Sequence, residues 1–447
     1  MRRLLFVLFL LLGWSSKAQC QLSPKTPNVI LIMADDMGYE CLENYGSTEY
    51  QTPELKDLAR TGIQFNNCQS QPLCTPSRVK IMTGLYNYRN YDFFGNLQEG
   101  SHTIGNLMQD AGYQTCIAGK WQLNGLAFDT LSNQWEDQSR PNRFGFDQYC
   151  LWQLTQTVAK GERFSNPLIE QDGVLLPRDS EAYGPDIFAN YILDFIEKNQ
   201  EQPFFVYYPM VLVHDPFVPT PESSSWENPD LRYQSDTSYF KDMVSYTDRI
   251  VGKIRDQLER LDLLDNTILI FTGDNGTHRS IRSETTQGTI TGGKGKTTDS
   301  GVHVPLIISW PAKISEAQVY NGLIDFSDFF PTLADLTQQK VKSDGLSFWP
   351  LLSGKKFKAR KTAVVHYDPQ WNQNVNRFRN RFIRNLQYKL YLDGRFFDLN
   401  RDIEEQFPLP PEQLKGRSKR VYKKLQKELK QHPFWKNAPQ VSKSNHS

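Results

Sequence analysis

Acidic, amide, ammonium and imidazole side chains recur in this sequence at one kind of position, just beyond a short apolar run. Asp35 and Asp36 follow the run at residues 28–33, and Gly119-Lys120 follows 114–118. His214 comes a few residues after 204–208, and Asp274-Asn275-Gly276 follows 267–272. Carboxylate and amide oxygens are the donors a hard divalent cation takes. An ammonium holds an anion, and an imidazole moves a proton near neutral pH. Singly, each group has an ordinary explanation: Asp after a strand makes a turn or cap, a lone lysine is a solvated surface group, and a lone histidine is a satisfied structural one. Six groups of complementary chemistry in equivalent places argue instead for one site. Cys74-Thr75-Pro76-Ser77-Arg78 adds a thiol and, one helical turn later, a guanidinium; read alone, these are a loop thiol and a surface charge.

The elements that must gather these groups read as α/β. Residues 28–33, 114–118, 204–208, 267–272 and 304–310 are short β-rich apolar runs, as buried strands are. Thr103 can cap a helix with Ile104, Leu107, Met108 and Ala111 on one face and Gly112 at its end. Residues 186–198 and 243–261 have helical periodicity. The alternation predicts a large, mostly parallel sheet flanked by helices, and in such sheets ligands sit beyond the carboxyl ends of the strands. Past about Lys358 the texture changes to short strands at 362–367, 381–384, 388–391 and 395–398. A basic helix follows at 417–430, with Val421, Leu425 and Leu429 on one face. The expected organisation is a signal peptide at 1–18, a catalytic α/β domain at 23–358, a smaller C-terminal antiparallel sheet plus helix at 359–437, and a frayed tail at 438–447.

Bulk properties narrow the function classes. With 447 residues, 38% of them hydrophobic, the chain can bury a large core. Lys+Arg (51) nearly balances Asp+Glu (50), which gives no reason to expect nucleic acid as a partner. Arg2 and Arg3, the apolar stretch 4–12 and Ser16-Lys17-Ala18 make a secretory signal peptide, too short to span a bilayer. No other run is long enough to do so, so the chain is expected to be exported, periplasmic or secreted, and not transmembrane. Cys20 offers lipid anchoring as the alternative, against which Lys17 stands where an aliphatic residue is usual. The six cysteines are irregularly spaced, which fits neither a disulfide scaffold nor a zinc site; Cys116 reads as a small core residue.

The stretch Cys74-Thr75-Pro76-Ser77-Arg78-Val79-Lys80-Ile81-Met82-Thr83-Gly84 resembles the signature of the type I, formylglycine-dependent sulfatases of the alkaline-phosphatase-like superfamily, carbohydrate-directed bacterial members among them. Residues 27–38, Gly119-Lys120-Trp121, His214-Asp215-Pro216, 272–276, 294–305, 325–336, 344–347 and 397–399 resemble further segments of that family. The resemblance implies that Cys74 is oxidised by a formylglycine-generating enzyme to an aldehyde that hydrates. It implies one calcium ion held by Asp35, Asp36, Asp274, Asn275 and residue 74. Arg78 would stabilise the hydrated residue, Lys120 and Lys294 would hold sulfate oxygens, and His214 would protonate the leaving alcohol. These roles suit the reaction: a sulfate ester needs a nucleophile, cations around the sulfuryl oxygens, and an acid for the bridging oxygen.

Two departures bear on this expectation. Gln122 stands where the family usually has the histidine that returns the spent nucleophile to the aldehyde, and an amide is no base near neutral pH; His278, His303 or a water are the substitutes. Asp299-Ser300-Gly301 replaces a common Glu-Gly-Gly, and His303 a common Arg, changes expected in the pocket wall. The expected substrate is a sulfated polysaccharide or its oligosaccharides, with the aromatic and polar stretches 149–157 and 163–169 either touching sugar or packing as an insertion. The alternatives are a phosphodiesterase or phosphonate hydrolase of the same superfamily and a non-catalytic glycan-binding protein.

Overall fold

The computed structural model describes residues 26–125, 136–155, 161–369 and 379–432. The expected signal peptide, Cys20 and the tail lie outside the described residues. The centre is a ten-stranded sheet. Five neighbouring strands in it run parallel, in the spatial order Thr267–Gly273, Asn28–Ala34, Phe204–Pro209, Gln114–Lys120 and Gln148–Trp152. Antiparallel pairings begin on both flanks, with Leu306–Ser309 on one side and Ile169–Gln171 on the other.

The first strand shows why the sheet is covered on both faces. All seven of its residues are buried. Because side chains alternate across a strand, Ile30 and Ile32 pack with the helices Gly184–Lys198 and Phe240–Arg260 through Ile192, Phe195, Ile250 and Ile254. Val29, Leu31 and Met33 face the other way, onto Val79, Met82, Leu107 and Leu333 of the helices Cys74–Thr83, Ile104–Asp110 and Phe329–Leu336. Thr103 caps its helix as expected, in a capping box with Asn106.

One expectation changes, and one open alternative is decided. The run 304–310 is not one strand. Proline has no N–H to give a ladder, and the chain divides at Pro305: His303–Val304 pairs with Cys68–Gln69 in a small separate sheet, while Leu306–Ser309 joins the main one. The stretch beginning at Tyr149 is no sugar-facing insertion at its start. Tyr149, Leu151 and Trp152 are at most 3% exposed, in a strand parallel to Gln114–Lys120.

The C-terminal sheet is antiparallel, with Ala363–Tyr367, Asn380–Arg384, Tyr388–Tyr391 and Phe396–Asp398 in sequence order. One face, bearing Val364, Ile383, Leu390 and Phe396, packs against Leu425 and Leu429 of the helix Gly416–Leu429. The other, bearing Val365, Tyr367, Phe382 and Tyr391, packs on Val302 and Leu73. Leu73 precedes Cys74, so this sheet backs the neighbourhood of that residue. Among the described residues no helix is long and apolar enough to cross a membrane.

Candidate active site

Register brings the acidic groups together. Ala34 pairs with Gly273 across two parallel strands, so the next residues, Asp35 and Asp274, leave the sheet side by side. Asp274 N–H donates to the Ala34 carbonyl at 2.9 Å, and Asp36 N–H donates to Asp274 Oδ1 at 3.0 Å. Asp36 is left-handed, with φ 59°, a conformation Asp adopts more readily than most residues. Asn275 Nδ2 donates to Asp36 Oδ1 at 2.8 Å. All four side chains are fully buried.

The cations arrive from other strand ends and from one helix. Lys120 ends its strand with Nζ 2.7 Å from Asp35 Oδ2. The helix Cys74–Thr83 is buried at all ten residues. Cys74 and Arg78, four apart, share one side of it. Arg78 Nη1 donates to the Lys120 carbonyl at 2.6 Å, its Nε lies 3.4 Å from Asp274 Oδ2, and its Nη2 lies 3.9 Å from Asp35 Oδ2. Arg78 and Lys120 are each 1% exposed, which disposes of the surface-charge explanation for both. Cys74 Sγ, an Asp35 oxygen and an Asp274 oxygen all lie within 4.8 Å of one another, as do ligand atoms of Asp35, Asp36 and His214. Gln122, left-handed at φ 50°, turns its Oε1 toward Cys74 Sγ at 3.9 Å.

Lys294 comes from a loop held by close backbone approach. A Cβ on Gly276 would lie 1.8 Å from the Ser300 carbonyl oxygen, and one on Gly293 2.4 Å from the Ser300 carbonyl carbon, so only glycine lets these loops interlock. Lys294 N–H donates to the Thr277 carbonyl at 3.0 Å, and its ammonium forms a short ion pair with Asp36. That ammonium also meets His214 Nε2 at 3.0 Å, while His214 Nδ1 contacts the Asp215 carbonyl at 2.6 Å. The carbonyl only accepts and the ammonium only donates, so His214 carries its proton on Nδ1 and offers a lone pair at Nε2.

Charge and burial pull against each other here. Burial alone would raise the Asp35 carboxyl, but the cations Lys120, Arg78 and Lys294 hold it well below the usual carboxylate range. Burial and the like charge of Asp35 push Asp274 up. Burial lowers His214 to about 3, against the pull of Asp36 and Asp35, so the free imidazole is neutral. Burial also works on Lys294, but Asp36 and Asp35 outweigh it and keep the ammonium charged. The Cys74 thiol is pushed up, first by burial, so it is not poised as a thiolate nucleophile.

All ten residues singled out from the sequence converge, directly or through one another: Asp35, Asp36, Cys74, Arg78, Lys120, Gln122, His214, Asp274, Asn275 and Lys294. Of the substitutes for a base at Gln122, His303 is committed elsewhere. Its Nδ1 lies 2.9 Å from Asp299 Oδ2, its Nε2 meets the Asn66 carbonyl at 2.9 Å, and its ring stacks on Tyr39. His278 lines a cavity of about 340 Å³ together with Leu73, Arg279, Lys294 and Tyr367. Sequence reading gave no role to Arg279, whose Nε donates to the Lys294 carbonyl at 2.6 Å. Arg163 was grouped only with residues able to touch sugar, yet it lies over the Trp152 ring at 4.7 Å and donates to the Asp215 carbonyl at 2.5 Å. Neither carries a spacing signal, because each is placed through a backbone carbonyl.

The donors fit a hard cation. Asp35 Oδ1 and Asn275 Oδ1 are buried with no hydrogen-bond partner, an expensive condition for polar oxygens that a ligated cation relieves. With Asp36 and Asp274 they form an all-oxygen set, the preference of calcium rather than zinc.

A family model described as Sulfatase matches residues 27–339, and one described as N-sulphoglucosamine sulphohydrolase, C-terminal, matches 294–433. The chain is 29% identical over 374 residues to the N-acetylgalactosamine-6-sulfatase of Homo sapiens, covering 74% of this chain and 67% of that protein. It is 28% identical over 407 residues to the N-acetylgalactosamine-6-O-sulfatase of Bacteroides thetaiotaomicron, covering 75% and 78%. Among solved structures, one in complex with its substrate D-glucosamine-2-N,6-O-disulfate shares the fold at TM-score 0.70 and 22% identity, over 91% of this chain and 97% of that one.

Proposed function

The chain belongs to the sulfatase family and is a sulfuric ester hydrolase; from that premise we propose that it removes sulfate from a sulfated polysaccharide or its oligosaccharides, with a nucleophile made from Cys74 and a calcium ion beside it. The observation that carries this reading is the burial of Cys74 against Asp35 and Asp274, with Lys120 and Lys294 paired to the same carboxylate cluster. In the matured protein the Cys74 side chain gives way to a hydrated aldehyde, which supplies a hydroxyl nucleophile, while calcium held by Asp35, Asp36, Asp274 and Asn275 supplies positive charge beside it.

The chain's own residues do the rest. Arg78 hydrogen-bonds and orients residue 74 from the same helix. Lys120 and Lys294 bind sulfuryl oxygens, so that charge developing in the transition state meets fixed cations in a site with little water. When the sulfur–oxygen bond to the sugar breaks, the bridging oxygen takes a proton from the hydrogen-bonded pair of Lys294 and His214, which holds that proton between two nitrogens 3.0 Å apart. Gln122 orients residue 74 and leaves proton removal in the second half of the cycle to another group, His278 or a water. The names of the N-acetylgalactosamine-directed relatives and the sugar disulfate bound by a structural neighbour support a carbohydrate substrate. On this reading the chain is exported after removal of residues 1–18, with 23–358 catalytic and 359–437 supporting.

The test is anion release from sulfated polysaccharides and their oligosaccharides, by protein made together with a formylglycine-generating enzyme. Wild type should release sulfate, and Cys74→Ala should lose roughly 10³-fold or more of that rate. Phosphate released from phosphoesters in place of sulfate would move the chain to the phosphodiesterase side of the superfamily. Neither anion, with formylglycine confirmed at position 74 by peptide mass, would favour a binding role.

A further inference from the structure

The helix Gly416–Leu429 and its two flanking residues carry eight Lys and Arg against the single acid Glu428, in a chain whose net charge is +1. At about 100° per residue, Val421, Leu425 and Leu429 mark the face packed on the C-terminal sheet. Lys419, Arg420, Lys423 and Lys427 lie on the side turned away from that face, with Arg417 and Lys424 along one flank, so the cations extend over about 15 Å of the helix. All eight cations are exposed. A second basic run approaches the same helix. Lys355, Lys356, Lys358 and Lys361 are exposed, and the segment is tied down where the Thr362 hydroxyl donates to Glu428, the helix's one carboxylate. Arg360 in that run bonds Tyr86, which packs in the cluster under the helix.

On this face, among the described residues, none of the twelve has an ion-pair partner, and what sets the face apart is their concentration on one helix and the run beside it. The face also lies on the far side of the C-terminal sheet from Leu73 and Val302, so it is separate from the candidate active site.

We propose that this composite face is a docking surface for the unreacted part of a sulfated glycan chain, holding the polymer while the candidate site acts elsewhere along it. The proposal rests on the sulfatase reading for the identity of its ligand. Charge complementarity carries it: a row of unpaired cations along a helix matches a flexible polyanion that carries a sulfate on successive sugars, and binding releases condensed counterions, which makes it steeply salt-dependent.

The experiment uses the matured full chain, the variant Arg420→Glu/Lys423→Glu/Lys424→Glu/Lys427→Glu, and as an independent route Lys355→Glu/Lys356→Glu/Lys358→Glu. Retention on immobilised heparin and chondroitin sulfate is measured against salt, together with KM and kcat on the polymer and on its tetrasaccharide. Either variant, with an unchanged melting temperature, should elute at lower salt and show a polymer KM raised roughly tenfold, with kcat and the tetrasaccharide kinetics unaltered. Unchanged polymer KM in both variants overturns the proposal. So does tighter binding of wild type to phosphatidylserine vesicles or single-stranded DNA than to the sulfated polymers at matched charge. Retention of the Cys74→Ala protein that is lost on charge reversal supports the surface whether or not wild type releases sulfate, so failure of the surface and failure of the catalytic reading are separate results.

Discussion

Gln122 is the residue on which the catalytic cycle turns, because its amide faces Cys74 at 3.9 Å and has no basic nitrogen. Its left-handed backbone, φ 50°, is one that histidine also enters more readily than most residues. Gln122→His is therefore expected to fold normally and to place an imidazole against residue 74. The pH profile of sulfate release should gain a limb near the ordinary imidazole pKa, about 6.5, that wild type lacks; superimposable profiles would mean that position 122 takes no part in proton removal. The departure at this position was legible in the sequence because a motif surrounds it. His214 and Lys294 were legible as single groups, but their hydrogen bond was not: it depends on the loop crossing at Gly276 and Gly293, which no local pattern announces. His303 was an open substitute in the sequence and is closed by Asp299 and the Asn66 carbonyl.

At the scale of elements, the helix Cys74–Thr83 departs furthest from ordinary sequence rules. It is buried on every side, so it has no polar face and no amphipathic period to read, and its place was legible only through its signature. Burial on all sides forces its charges to find partners. Arg78 finds the acidic cluster, and Lys80, pointing away from it, meets Asp325 Oδ2 at 2.7 Å with both side chains 0% exposed. Asp325 in turn caps the next turn through Ser327 N–H. Removing one member of such a pair strands the other's charge in the interior, so Lys80→Met should destabilise the fold by about 3–5 kcal/mol, and Lys80→Met/Asp325→Leu should recover much of that loss. Denaturant unfolding of both variants checks this, and a double variant no more stable than the single would show that the pair's role is to position the helix rather than to neutralise charge. Four of the five parallel strands were legible within a residue or two because each is a short apolar run, whereas Gln148–Trp152, rich in polar and aromatic residues, was not read as a strand. The break at Pro305 was missed because an apolar run continues through it, while pairing cannot.

At the scale of the molecule, the candidate site joins Asp36 and Asn275, 239 residues apart in sequence, and it exists only when the sheet is assembled. A cation bound there binds the folded state alone, so it should stabilise the fold by mass action, by about 2.7 kcal/mol when free calcium is a hundredfold above its Kd. For a protein of this length, with an unfolding entropy near 2 cal/mol/K per residue, that corresponds to a melting temperature roughly 3 °C higher. Chelation should remove both this increment and sulfate release, and added calcium should restore them. Asp274→Asn keeps the volume and one oxygen but removes a charge, so it should leave a folded protein whose melting temperature no longer responds to calcium. Magnesium should restore less, because it demands tighter octahedral geometry and parts with its waters reluctantly, whereas the buried oxygens here come from four side chains on two strand ends. A melting temperature indifferent to both chelator and calcium would leave the unpartnered oxygens of Asp35 and Asn275 without the ligand their burial calls for, and would make Arg78, Lys120 and Lys294, rather than a metal, the counterweight to the acidic cluster.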